Sequence, residues 1–235
     1  MSLPNNMSFR EFKPMAAATR TAHPRTNTEE GNPNYKGDPY AKDNKDAKIS
    51  EAMNCKTYVN NLPQDIEPWQ LLAAIRNCGK VKACHVNGPN EWDPLTSDAT
   101  VLFFNRESAL AFVRQNGVFR IPGYPAVLPR IRWNRQKVAP EADAGKSRVL
   151  RITGNRQFVN YESLHKYFSK KVDFQVEKVV TVWTGPGMQK MDWYFSGWYP
   201  QAKAVKMALE LEYPNILGNL IGVRVETRPD PCAGS

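Results

Sequence analysis

From position 55 onward apolar residues come in short bursts between turn signals, and the period of each burst predicts an element. Lys56 to Asn61 alternates and stops at Asn61-Leu62-Pro63, which predicts a strand and a loop. Pro68 at a first turn, Trp69, Leu72 and Ile75 on one face and Gly79 beyond predict an amphipathic helix over 68–77. Val81 to Val86 reads as a second strand, closed by Asn87-Gly88-Pro89, and Thr100 to Phe104 as a near-continuous apolar third. Arg106 to Asn116 predicts a second helix with Ala109, Phe112 and Val113 inward, and Val127 to Trp133 a fourth strand.

The same order then repeats. Val149 to Thr153 predicts a strand, and Tyr161 to Ser169 a helix burying Leu164, Tyr167 and Phe168. Val176 to Trp183 is a strand stopped by Gly185-Pro186-Gly187, and Lys190 to Phe195 is another. Gln201 to Leu211 predicts a helix and Leu220 to Glu226 the last strand. A duplicated β-α-β-β-α-β order is the strongest signal in the chain, and it predicts an α+β fold of two ferredoxin-like sandwiches. Each has a four-stranded antiparallel sheet with two helices on one face, so the other face is left open.

The expected boundaries follow from composition. Residues 1–52 form a disordered arm rich in Asn, Thr, Pro, Lys and Asp; 53–137 and 148–228 are the two domains; 229–235 is a C-terminal tail. Residues 138–147, VAPEADAGKS, make a linker that spans about 17 Å root-mean-square and lets the domains move.

Strand side chains alternate, so the open faces can be listed from the sequence. In TYVNNL the core takes Val59, which sends Tyr58 and Asn60 outward. Taking Thr100, Leu102 and Phe104 as the inward set of the third strand puts Ala99, Val101 and Phe103 outward. Burying Ile131 and Trp133 exposes Arg130 and Arg132, and His85 joins them from the second strand. In the second repeat, burying Leu150 and Ile152 exposes Arg151. Lys190 and Asp192 are costly to bury, so Met191, Trp193 and Phe195 go inward and Lys190, Asp192 and Tyr194 outward. Arg224 and Glu226 complete that face.

Tyr58, Val59, Asn61 and Leu62 match the apolar-aromatic-apolar-x-Asn-Leu signature on the first strand of the RNA-recognition motif (RRM), and both repeats resemble that family in element order. The resemblance implies RNA processing as the setting. It also implies sheet-face aromatics that stack unpaired bases while basic side chains hold phosphates. The family's third-strand octamer, Lys-Gly-Phe-Gly-Phe-Val-x-Phe, is here SDATVLFF, so its main stacking pair is missing; Arg151 stands where the second domain should carry its first-strand aromatic. The candidate RNA contacts are therefore Tyr58, Asn60, His85, Phe103, Arg130 and Arg132 in the first domain. In the second they are Arg151, Lys190, Tyr194 and Arg224, in an assisting role.

Charge supports a polyanionic partner. The net charge is +9; residues 51–137 hold eleven basic against seven acidic side chains, and residues 148–235 twelve against eight. Single-stranded RNA is the expected partner. The alternative is a protein docked on the degenerate second domain, because a fold does not fix a function. No G-x-S-x-G elbow, H-E-x-x-H helix or phosphate loop is present, so neither an enzyme nor a cofactor is expected. Cys55, Cys78, Cys84 and Cys232 lack a C-x-x-C pair and the histidines are scattered, so no metal site is expected either. With no signal-like leader and no membrane-length apolar run, the expected address is intracellular, nucleus ahead of cytoplasm; Lys36, Pro39 and Tyr40 loosely match a basic-x-x-Pro-Tyr import signal in a stretch that otherwise reads as plain linker.

Overall fold

The computed structural model describes residues 49–90, 93–214 and 222–234. The expected arm up to residue 48, with its loose match at Lys36, Pro39 and Tyr40, and Leu220 lie outside these residues.

The first sheet is built from β1 (Lys56–Pro63), β2 (Val81–Asn87), β3 (Thr96–Phe103) and β4 (Arg130–Trp133), with α1 (Pro68–Ala74) and α2 (Arg106–Val113) between them. The second uses β5 (Val149–Asn155), β6 (Val176–Gly185), β7 (Met188–Phe195) and β8 (Arg224–Arg228), with α3 (Tyr161–Ser169) and α4 (Lys203–Glu212). The strand orders are β2-β3-β1-β4 and β6-β7-β5-β8, and every pair is antiparallel. The helices start where side chains satisfy their free N–H groups. The Asn105 side chain accepts from Ser108 N at 2.9 Å, and Asn160 accepts from Ser163 N at 2.9 Å.

In the first core Val59, Val101 and Phe103 meet Leu71, Leu72, Ile75 and Phe112. The second joins Leu150, Ile152, Met191, Trp193 and Phe195 to Leu164 and Phe168. Each such fully buried side chain stabilises the fold by about 1.5–3 kcal/mol before entropy is counted. The expected inward set Met191, Trp193 and Phe195 is the observed one. Trp69 differs: it is exposed, because Leu71 and Leu72 fill the helix face that meets the sheet.

The third strand of the first domain is shifted by one residue from the expectation. Ala99, Val101 and Phe103 point into the core, with Phe103 only 1% exposed and 5.7 Å from the Phe112 ring. Thr100 and Leu102 face outward, and Phe104 is buried in the core cluster of the other domain. Val101 to Phe104 is apolar throughout, so alternation alone cannot set the parity.

The linker does not hang free. Lys80, just before β2, and Lys82 within it pair with Asp143 and Glu141, and Glu141 N donates to Phe104 O at 2.8 Å. At its end Arg148 is wholly buried. Its Nε donates to Asp230 Oδ1 at 2.9 Å, Nη1 donates to Phe195 O at 2.9 Å, and Nη2 lies 2.8 Å from Glu177 Oε2. Burial opposes the charge, but Asp230 and Glu177 outweigh it and hold the Arg148 pKa above its ordinary value. Asp230 also accepts from Val81 N at 2.8 Å, and Cys232 O accepts from Cys78 N and Gly79 N. Cys232 thus completes the first domain's core from beyond the end of β8. Gly197 lies flat on β2: a Cβ there would stand 2.9 Å from Ala83 Cα and 3.0 Å from Lys82 O. The two sandwiches are packed against each other in this structure.

Candidate nucleic-acid interface

The first open face is organised by strand register. His85 of β2 stands opposite Thr100 of β3, Thr100 opposite Tyr58 of β1, and Tyr58 opposite Arg132 of β4. Directly paired antiparallel residues share a face, so these four form one row across the sheet. Asn60 and Arg130 form the neighbouring pair, and Arg132 Nη2 donates to Asn60 Oδ1 at 3.3 Å. His85, Arg130 and Arg132 are exposed and Tyr58 and Asn60 half-buried. Among the described residues neither Arg130 nor Arg132 pairs with a carboxylate. Burial and the nearby Asp98 push the Tyr58 phenol up to about 12, so at neutral pH it is an uncharged ring.

The acids of this face are tied locally. Asn87 Nδ2 donates to Asp98 Oδ1 at 2.6 Å, and Asp93 accepts from Thr96 N at 3.1 Å. A bulge after Val59 carries Asn61 into the left-handed region at φ 59°, where its side chain donates to Leu128 O at 2.9 Å. Beside it Asn61, Asn116, Leu128, Arg130 and Arg132 border an open depression of about 690 Å³. Of the six residues expected on this face, the structure brings together Tyr58, Asn60, His85, Arg130 and Arg132. Phe103 is removed to the core for the parity reason given above, and Thr100 and Leu102 take the outward places on β3.

The second open face has the same geometry and a different use of charge. Arg151, at the place in β5 that Tyr58 holds in β1, lies opposite Asp192 on one side and Glu226 on the other. It grips Asp192 with two hydrogen bonds, Nε to Oδ1 and Nη2 to Oδ2, each 2.7 Å. That bidentate pair is what allows Asp192 to be nearly buried at 5% exposure. Arg224 Nη2 reaches Glu226 Oε1 at 2.9 Å, and Lys178 Nζ stands 4.7 Å from the centre of the Tyr194 ring. Lys190 lies between Thr153 and Trp183. Trp183, like Lys178, is a residue of this face that sequence reasoning missed. A register shift between Thr181 and Trp183 turns it outward, and the only signal was the nearby glycine-rich turn.

The cysteines do not extend the chemistry. All four are buried free thiols, and burial pushes Cys84 up to about 12 and Cys78 to about 11. Among the described residues no cluster of three metal-binding side chains occurs, and no helix is long and apolar enough to cross a membrane.

No family model and no curated protein matches the chain. Solved structures do. The Sex-lethal RNA recognition domains 1 and 2 from Drosophila melanogaster are 16% identical, over 74% of this chain and 100% of that one, with a TM-score of 0.29. The first two RRM domains of the yeast poly(U) binding protein are 12% identical, over 74% and 99%, at 0.30. RRM domains 1 and 2 of Prp24 from S. cerevisiae are 11% identical, over 76% and 98%, at 0.28. These superpositions are loose, and the architecture rests on the strand orders, registers and helix positions described above. On those grounds the chain is a tandem pair of RRM-like α+β folds.

Proposed function

We propose that this protein binds single-stranded RNA on the open sheet face of its first domain, with the second domain assisting. The observation that carries the reading is the Tyr58–Arg132 row with Asn60 and Arg130 beside it. It offers one neutral ring, two arginines uncommitted to carboxylates and an amide on a sheet face that α1 and α2 do not cover. A ring stacks on any base, and a guanidinium stacks or holds phosphate. With Phe103 in the core and no aromatic on the outward side of β3, the face supports a single strong stack. Recognition therefore leans on Arg130, Arg132 and the polar groups of Asn60, Thr100 and His85. The chemistry of the face supports this reading by itself.

A titration of the full chain against single-stranded RNA of mixed sequence tests this. Affinity is expected to fall with log salt by about 0.7 per phosphate neutralised. Replacing Tyr58→Ala and Arg132→Ala together is expected to weaken binding by about 2–4 kcal/mol, the loss of one stack and one charge-assisted contact. Unchanged affinity in a double variant with the wild-type melting temperature would remove the platform. It would favour the alternative, a pair of degenerate sheets that dock a protein.

A further inference from the structure

The β6–β7 hairpin holds an aromatic that neither the signature strands nor the first face accounts for. Trp183 is 49% exposed, yet its place is fixed. The register shift after Thr181 sets it directly opposite Lys190, whose neighbours Met191 and Trp193 show that Lys190 is on the open side. Gly185, two residues on and on the same face, lies under the indole. A Cβ at Gly185 would stand 2.2 Å from Trp183 Cζ2 and 2.3 Å from Cη2. The missing side chain is what lets the ring lie against the strand with its other surface to solvent. A ring already held in place loses little freedom when a second flat group stacks on it.

A cation stands directly opposite it. The row containing Trp183 and Lys190 continues through Thr153 to Arg224, and Lys178 lies further along β6. Among the described residues no carboxylate pairs with Lys178 or Lys190, whereas Asp192 and Glu226 are taken up by Arg151 and Arg224. Val180 and Met188 add an apolar margin, but an indole facing a lysine that pairs with no carboxylate among the described residues matches a base and its phosphate more closely.

We infer that Trp183 and Lys190 form a second nucleotide-stacking site, displaced from the central strands to the hairpin end of the second sheet. Trp183 stacks the base, while Lys190 directly opposite holds the adjoining phosphate. This deepens the RNA-binding reading above and rests on it. It also explains how a domain whose first-strand aromatic has become Arg151 still contributes to a single-stranded ligand.

The test uses the full chain and a fluorescein-labelled single-stranded RNA of about twelve nucleotides, comparable to the longer site sizes of single-strand binding folds. Trp183→Ala is expected to weaken binding about five- to tenfold, the loss of one base stack, and Trp183→Phe to recover most of it. Gly185→Val, which must displace the indole without removing it, is expected to fall between the two. If Tyr58→Ala with Arg132→Ala weakens binding but Trp183→Ala leaves it unchanged, the hairpin site is overturned and the first face stands. If the wild-type chain shows no salt-dependent RNA affinity, both fall. If Trp183→Ala instead abolishes self-association seen by sedimentation while RNA affinity is unchanged, the hairpin is a contact between copies and this inference is wrong.

Discussion

The two sheets share strand order and helix placement, yet at one matched position the first carries Tyr58 and the second Arg151. Tyr58 has Thr100 and Arg132 across from it, so its ring and the neighbouring arginines remain available to a ligand. Arg151 has Asp192 and Glu226 across from it, so its charge is spent inside the protein. The comparison teaches that counting basic residues misjudges a surface. Both domains carry the same formal excess of four positive charges, but the first face keeps Arg130 and Arg132 uncommitted and the second pairs Arg151 and Arg224 with carboxylates. An arginine already bonded bidentately to a carboxylate must exchange that partner to gain a phosphate, which leaves little net affinity.

The largest effect expected falls on the joint between the two domains. Asp230 accepts from Arg148 Nε, Val81 N and Cys232 N, all in buried surroundings. Asp230→Ala leaves a buried guanidinium short of its partner and two backbone donors without theirs, at a cost of about 3–5 kcal/mol. Urea melts should show that loss as one transition affecting the first domain as well as the second, because Cys232 belongs to the first core. A loss below about 1 kcal/mol would mean that water reaches the joint and the domains are coupled only loosely. The same contacts make a fragment ending near residue 140 a poor test of the first face, since it lacks the segment that caps Cys78, Gly79 and Val81.

A smaller effect breaks the comparison itself. Asp192→Asn keeps the shape of the side chain and removes the charge that holds Arg151. One guanidinium is thereby released onto the second face. RNA affinity should rise by about 1 kcal/mol or less, and the salt dependence should steepen by about 0.7, one further phosphate contact. An unchanged salt slope would show that Arg151 stays folded against Glu226 and that the second face is silenced by more than one acid.

How much of this could be read from the chain depended on whether charge or only apolarity marked the parity. Lys190 and Asp192 interrupt the apolar residues of β7, and because burying either unpaired is costly the register of Met191, Trp193 and Phe195 was legible. Phe103 and Phe104 gave no such mark. The second is buried by the other domain, which no local period can report. Trp183 was hidden by a bulge, since one extra residue reverses every assignment after it. Trp69 looked inward by spacing but lost its place to Leu71 and Leu72. Arg148 and Asp230 are 82 residues apart, one at a linker end and one in an apparent tail, so only the folded chain brings them together. The row of Tyr58, Asn60, Arg130 and Arg132 was legible because Val59 and Ile131 fixed two adjacent strands from one side.

The smallest effect expected concerns the linker side of the joint, and it sharpens the contrast between charges that serve the fold and charges left to a ligand. Burial works against the ionised form of Glu141, but the ammonium groups of Lys146 and Lys82 outweigh it and hold the carboxyl below its ordinary value of 4.5. A depressed carboxyl favours the folded state above the unfolded pKa, and the benefit disappears as pH falls through the lower folded value. The joint should therefore be insensitive to Glu141 at neutral pH and lose its help on acidification below about 4.5. Glu141 is well exposed, so screening by water and salt keeps the effect small, and low ionic strength is the condition to use. Melting temperatures of the wild type and Glu141→Gln should differ at neutral pH, with the wild type higher, and converge as the pH falls below the ordinary carboxyl value of 4.5 and through the lower folded one. A constant difference across that range would show that the Glu141 contacts act through shape and hydrogen bonding alone, and that the linker is held by its backbone bond to Phe104 O rather than by charge.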